Sequence, residues 1–185
     1  MWLRTLLLLL LAAPPGCREQ PLPGAENIRV RVGMVALDTR NLPVVVLEEE
    51  EGPRWMPIWI GTAEARSIAS QIEDRRSPRP NTHDLARRVI QGLHAEVVRV
   101  VVTDLRGGTY YALLSLRLDG ETIEIDSRPS DAIAIALRAG APIFVREEIF
   151  ESAGKDFEVE ESERPIGGRD AQPIGTSRAT APVSL

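Results

Sequence analysis

An α+β fold follows from three features of this 185-residue chain. Short segments alternate apolar and polar residues, glycine or polar turns join them in threes, and helical periodicity follows only the third and sixth of them. The order reads strand, strand, strand, helix, a linking helix, then three more strands, a helix and a closing strand.

Ile28, Val30, Val32 and Met34 alternate with Arg29, Arg31 and Gly33, so the first strand runs from Ile28 to about Leu37. Asp38–Asn41 is a turn, Leu42–Glu48 the second strand, and the acidic run to Glu51 with Gly52 and Pro53 closes the hairpin as a solvated loop. Trp55–Ile60 is the third strand, ending at Gly61. Thr62 then caps a helix whose buried arc is Ala65, Ile68, Ala69 and Ile72. After the proline-broken loop Asp74–Asn81, Thr82 caps a second helix with Leu85, Ala86, Val89, Ile90 and Leu93 as its core face.

Val97–Val102 is nearly continuous β-branched sequence, as expected of a central strand. Gly107-Gly108 and Asp119-Gly120 turn it into a meander of three strands. The third of these, around Ile123 and Ile125, stops near Asp126. Pro129 pushes Arg128 into extended geometry and opens a helix with Asp131 in its first turn. Ala132, Ile133, Ile135, Ala136 and Ala139 form its buried arc, Gly140 stops it, and Ala141–Val145 is a last strand, with one helical turn at Glu147–Ser152. Both strand-to-helix corners place an acid directly before the first buried alanine, Glu64-Ala65 and Asp131-Ala132, which suggests a duplicated βββα unit.

The ends differ from this middle. Met1–Cys17 has one arginine and a leucine run, too short for a membrane span of roughly 20 apolar residues, and reads as an export signal. Cys17 after Gly16 resembles the lipid-attachment site of bacterial lipoproteins, although Pro14 and Pro15 depart from that pattern; plain secretion and a misplaced start codon are the other readings. Residues 18–27 are a linker, 28–153 the domain, and 154–185 a tail without apolar period, expected to be disordered. Localisation is accordingly outside the cytoplasm, membrane-anchored or released, with membrane contact only through a lipid on Cys17. As the sole cysteine, it excludes an intrachain disulfide.

The formal charge of −5 gives no general field toward nucleic acid, so such contact needs a local patch. Arg75, Arg76, Arg79, Arg87 and Arg88 are the dense basic cluster, suited to phosphate backbones or to keeping the loop solvated. Aromatic residues are 4% of the chain, which leaves little for base stacking. Zinc-ligand spacing, a glycine-rich phosphate loop and nucleophile motifs are missing from the sequence.

Asp126-Ser-Arg-Pro-Ser-Asp-Ala-Ile-Ala-Ile-Ala136 closely resembles the signature of the bifunctional nuclease (BFN) domain family. Ile58-Trp-Ile-Gly61 with Glu64-Ala65, Arg79-Pro-Asn-Thr-His-Asp-Leu85 and Gly107-Gly-Thr-Tyr-Tyr-Ala-Leu113 resemble its other blocks in the same order, over about Ile28–Glu151. The resemblance implies a mixed, partly barrel-like sheet with three helices, self-association into a homo-oligomer, and nuclease action on DNA and RNA. It does not carry over catalytic residues by role, and an export signal is a departure from the family.

Phosphodiester cleavage needs an activated water and charge absorption at phosphorus, commonly by carboxylate-held Mg²⁺ or Mn²⁺ with arginine clamps. The candidate catalytic residues are Asp126, Arg128, Asp131, Glu64 and His83, with Asp126, Asp131 and Glu64 as metal ligands if the two corners adjoin. Each has a plainer reading: Asp131 and Glu64 as first-turn helix acids, Arg128 as a partner of Asp131, Asp126 as a turn acid, His83 as a capping or exposed residue. The expected function is therefore a nuclease of low sequence preference, divalent-metal assisted. The alternative is a non-catalytic binding or assembly module of the same fold.

Overall fold

The computed structural model describes residues 26–75 and 77–155, with side chains described through residue 153. Seven strands and four helices follow one another as β1 Asn27–Leu37, β2 Pro43–Glu49, β3 Trp55–Trp59, α1 Thr62–Ile72, α2 Thr82–Gly92, β4 Glu96–Arg106, β5 Thr109–Leu118, β6 Glu121–Ser127, α3 Pro129–Ala139, β7 Ile143–Arg146 and α4 Glu147–Lys155. The export signal, the lipidation site and the tail after Lys155 lie outside the described residues.

All seven strands form one sheet in the order β3-β2-β1-β7-β4-β5-β6. Each meander runs outward from the centre, and β7 fills the gap between them, antiparallel to β1 and parallel to β4. The sheet is mixed, as expected, but open: β3 and β6 are its two edges. Pro57 within β3 and the acidic side chains of β6 are the features that keep edge strands from further pairing. The turns obey their residues. Gly107 and Gly108 take φ of 56° and 76°, Asp119 and Gly120 take 51° and 85°, the positive pairs that two-residue hairpins need.

Register decides which side chains meet the helices. Val100 pairs with Leu114 and Ile143, and Leu114 with Ile125, so these side chains share one face. On the sheet, α1 packs over β1 and β2 while α3 packs over β4 and β5; α1 and α2 both pack on α3. Ile133 and Ala132, Ala134 and Ala136 of α3 are fully buried beside Ile68, Leu47, Met56, Val100 and Val102. Each large apolar side chain so placed contributes roughly 1.5–3 kcal/mol, and the alanines let α3 sit close to the sheet.

Four sequence-based details are corrected. Four helices are present, because α4 extends the expected turn to nine residues and buries Ile149, Phe150 and Ala153. Gly61 and Asn81, not Thr62 and Thr82, are the N-caps. Ala139 and Ile72 are exposed, being at the last turn of their helices. The largest departure is α2: Leu85, Val89 and Leu93 are 59, 52 and 65% exposed, while Ala86 and Ile90 pack inward. The helix is turned so that His83 is buried toward α1 and α3, which puts three of the five expected core-face residues into solvent.

Candidate functional site where the two corners meet

Two strand-to-helix joints built alike create the site. At the second, Arg128 is the N-cap of α3 in extended geometry (φ −68°, ψ 141°), Pro129 is N1 and Asp131 is N3. Proline lacks an N–H where the helix has no partner for one, and fixes the φ the first turn requires. At the first joint, Gly61 is the N-cap of α1 (φ −71°, ψ 156°), Thr62 is N1 and Glu64 is N3. Neither N-cap makes a side-chain cap bond.

Packing of α1 on α3 brings the two N3 acids to one cation. Arg128 Nε donates to Asp131 Oδ2 at 2.7 Å, its Nη2 to Asp131 Oδ1 at 3.0 Å, and the same Nη2 to Glu64 Oε1 at 2.7 Å. The Arg128 side chain is 66% exposed, against 15% for Glu64 and 30% for Asp131. The two carboxylates thus hold one edge of the fork, and Nη1, which has no hydrogen bond among the described residues, is left on the wet side. Both hydrogens of Nη2 and that of Nε are thereby engaged, so what the fixed guanidinium can still offer an oxyanion is the two N–H groups of Nη1.

Asp131 is pulled two ways. Burial disfavours its charge, but hydrogen bonds from Arg128 and His83 and the Arg128 charge outweigh that and hold its carboxyl below the usual carboxylate range. Arg128 is raised in turn, chiefly by its bonds to Asp131 and then Glu64, and stays protonated.

Behind Asp131 lies a buried polar layer. His83 is 8% exposed; its Nε2 is 3.1 Å from Asp131 Oδ1 and its Nδ1 2.9 Å from Ser67 Oγ on α1. Asn81 Nδ2 donates to Ser67 Oγ at 3.0 Å. The capping box of α2 fixes that amide, since Asn81 Oδ1 accepts from the Asp84 N–H and Asp84 Oδ2 accepts from the Asn81 N–H. The other Asp84 oxygen accepts from Arg138 Nε at 2.7 Å, and Arg138, only 4% exposed, also donates to the carbonyls of Ala134 and Ser67. Burial opposes the Asp84 charge, and the Asn81 amide and Arg138 more than offset it, so this carboxyl too is lowered.

Of the sequence-predicted residues, the structure therefore joins Glu64, Arg128, Asp131 and His83. Asp126 stands apart: in β6 it pairs with Leu113 of β5 and is one position off Ile125, which is exposed at the sheet edge but shares the face of Leu114, so Asp126 projects from the opposite sheet face. No group of three His, Cys, Asp or Glu side chains among the described residues could hold a metal ion. Glu64 and Asp131 are hard oxygen donors of the kind Mg²⁺ and Mn²⁺ bind, yet Arg128 engages both and a third donor is not beside them. As arranged, these residues do not fit a resident divalent ion.

Among the basic cluster, Arg75 is exposed and pairs with Glu73, Arg79 and Arg88 are exposed, and Arg87 donates to Gln91 at 3.0 Å. Arg76 lies outside the described residues. Sequence reasoning missed Ser67, Asn81 and Arg138. One signal was available: Asp131 and Arg138 are seven residues apart, hence on one stripe of α3, and they engage the consecutive residues His83 and Asp84 of α2.

Comparison with known proteins agrees with the sequence resemblance. Residues 45–158 match the model of the bifunctional nuclease domain. An uncharacterized protein of Mycobacterium tuberculosis is 43% identical over 128 residues, covering 69% of this chain and 76% of that one. Bifunctional nuclease 1 of Oryza sativa subsp. japonica is 31% identical over 109 residues, 57% of this chain and 33% of the plant protein. Bifunctional nuclease 1 of Arabidopsis thaliana is 30% identical over 116 residues, 60% and 36% respectively. The chain thus spans about a third of each plant protein's length. The matched span contains both corners, the Arg128 fork and the polar layer behind it, and the chain belongs to the bifunctional nuclease domain family.

Proposed function

We propose that this chain is a nuclease that hydrolyses phosphodiester bonds of DNA or RNA with low sequence preference, and that Arg128 is its phosphate clamp. One observation carries the reading: an exposed guanidinium is held edge-on by carboxylates from two separate helices, with two N–H donors left toward solvent. In phosphodiester hydrolysis, negative charge grows on the non-bridging oxygens at phosphorus, and preorganised donors aimed there lower the barrier. Glu64 and Asp131 keep the fork from collapsing onto the surface. Aromatics at 4% of the chain leave little for base stacking, which supports backbone contact over sequence readout. Arg75, Arg79, Arg87 and Arg88 are the proposed flanking phosphate contacts.

The test is the purified full-length chain against supercoiled plasmid and single-stranded RNA, with Mg²⁺, with Mn²⁺ and with chelator. Those arms measure the metal dependence expected from sequence. Arg128→Ala and Asp131→Asn are expected to abolish cleavage; cleavage that survives both substitutions assigns the activity elsewhere.

A second reading has its own support. The exposed Leu85, Val89 and Leu93 stripe of α2 suits the assembly module and the homo-oligomer implied by the family resemblance. Light scattering of the wild type against Val89→Glu reads it directly, and a monomeric wild type removes it. Export, by the leader-like residues 1–17 with or without a lipid on Cys17, is read by the mass and membrane partition of the mature chain.

A further inference from the structure

We propose that Asn81, Ser67 and His83 form a directed hydrogen-bond relay that holds His83 with its proton on Nε2 and positions Asp131, and through it Arg128. The functional half of this rests on the phosphate-clamp reading of Arg128; the relay itself does not. His83 is then a positioning residue and takes no proton from substrate.

Two ends of the relay fix the same direction. At one end the capping box spends Asn81 Oδ1 on the Asp84 amide, so the group facing Ser67 is the NH₂. Ser67 Oγ accepts that bond, and in the relay it spends its single hydroxyl hydrogen across 2.9 Å on His83 Nδ1. At the other end Asp131, bonded to a guanidinium, is a carboxylate with acceptors only. The 3.1 Å contact from His83 Nε2 therefore needs a hydrogen on that nitrogen. A neutral imidazole has one N–H and one lone pair, and these two demands assign both without conflict.

Burial completes the case. His83 is 8% exposed and Ser67 4%, so water cannot replace a missing partner, and each polar atom left unsatisfied would cost about 1–3 kcal/mol. Both ring nitrogens are occupied, and neither presents a lone pair to solvent. What the ring delivers is one N–H to Asp131 Oδ1. That bond, on the side away from Arg128 Nε, stops the carboxylate from rotating and so keeps the arginine fork in its plane. The relay draws on three helices, α1 for Ser67, the start of α2 for Asn81 and His83, and α3 for Asp131, so it also sets their mutual placement.

Nitrogen-15 NMR of the full-length chain reads the proton directly, because the sequence has two histidines and the other, His94, is exposed. The expected spectrum has a pyrrole-type Nε2 and a pyridine-type Nδ1 for His83; the reverse pattern overturns the relay. Kinetics read the role. Glutamine places an amide N–H near the Nε2 position and a carbonyl near Nδ1, so His83→Gln is expected to keep kcat within about threefold, while His83→Ala loses about tenfold or more with little change in KM. Equal losses in both variants show that the ring itself transfers protons and overturn the positioning role, as does a fully active His83→Ala. A wild-type chain without nuclease activity overturns the phosphate-clamp reading and the catalytic half with it, while the NMR pattern still decides the relay. Asn81→Asp sharpens the result: aspartate keeps the helix cap but offers Ser67 an acceptor, which turns the hydroxyl round and puts a hydrogen on Nδ1 as well. An unchanged Nδ1 in that variant counts against the relay.

Discussion

The two strand-to-helix corners share a plan and differ most consequentially at the N-cap. Each has an extended N-cap without a side-chain cap bond, an acid at N3 and a buried alanine next, Ala65 at 6% and Ala132 at 0% exposure. The N-cap is Gly61 in one and Arg128 in the other. Arginine supplies the cation that draws both acids. Glycine supplies room, since a Cβ at Gly61 would overlap Glu64 Oε2 where it reaches toward the arginine. The third helix start is wired differently: in α2 one oxygen of the N3 acid Asp84 turns back on its own cap and the other takes the buried Arg138 of α3. An N3 acid is thus a local habit, and what sets these two apart is that they share one exposed cation.

The comparison breaks most readily at Arg128. Arg128→Ala leaves two carboxylates facing each other and removes the phosphate donors, so nucleic-acid cleavage is expected to fall by about 100-fold or more. Because the side chain is 66% exposed, the ion pairs themselves contribute little to stability, and the unfolding free energy from denaturant titration should change by less than about 1 kcal/mol. Loss of folding instead of activity would make the corner a structural joint.

Next in size is Arg138→Met, a test of the layer that holds the corners together. Arg138 is 4% exposed and ties Asp84 of α2 to Ala134 of α3 and Ser67 of α1. Its removal leaves the Asp84 carboxylate without the guanidinium bonded to it, at a cost of roughly 3 kcal/mol by chemical denaturation. A cost below about 1 kcal/mol would mean that the helices stand without this strut.

A smaller effect separates Asp131 from an ordinary surface acid. Its carboxyl is lower in the folded chain than the ordinary value of 3.8, so folding favours the ionised form. The associated stability is complete above that ordinary value and is lost as pH falls through the lower, folded one. Wild type should therefore lose stability relative to Asp131→Asn as pH drops below about 4, and the two curves should run parallel above about pH 5. Parallel curves throughout would remove the charge role of Asp131.

Much of this was legible in the chain because it is local. Gly107-Gly108, Asp119-Gly120, Pro129 and Gly140 each require one backbone geometry, and each turn or helix end lies where they stand. The acids of the two corners were legible for the same reason. Long-range facts were not. No local pattern says that β7 enters between β1 and β4, or that α2 turns His83 inward and Leu85, Val89 and Leu93 outward, since a helical wheel gives an arc and not its direction. Asp126 groups with the corner acids in sequence because its proximity to Arg128 hides the strand alternation that sends it to the other face. Ser67 and Arg138 look like a helix serine and an end-of-helix arginine until α2 is laid across them.

The finest test of the comparison is Gly61→Ala. With φ at −71° the backbone accepts alanine, so glycine is present for space and not for conformation. The added Cβ meets the far end of Glu64, a flexible side chain that can swing away, but only by leaving Arg128. Alanine is a poorer N-cap than glycine, yet it also restricts the unfolded chain by roughly 0.4–1 kcal/mol, so the two effects nearly cancel in stability. Activity should fall about threefold, because Asp131 still holds two of the three bonds to the fork. Glu64→Gln removes the same charge without the methyl, and the double variant should be no worse than either single one if both act through Glu64. Additive losses would place the role of Gly61 elsewhere, and the likeness of the two corners would then be a matter of backbone alone.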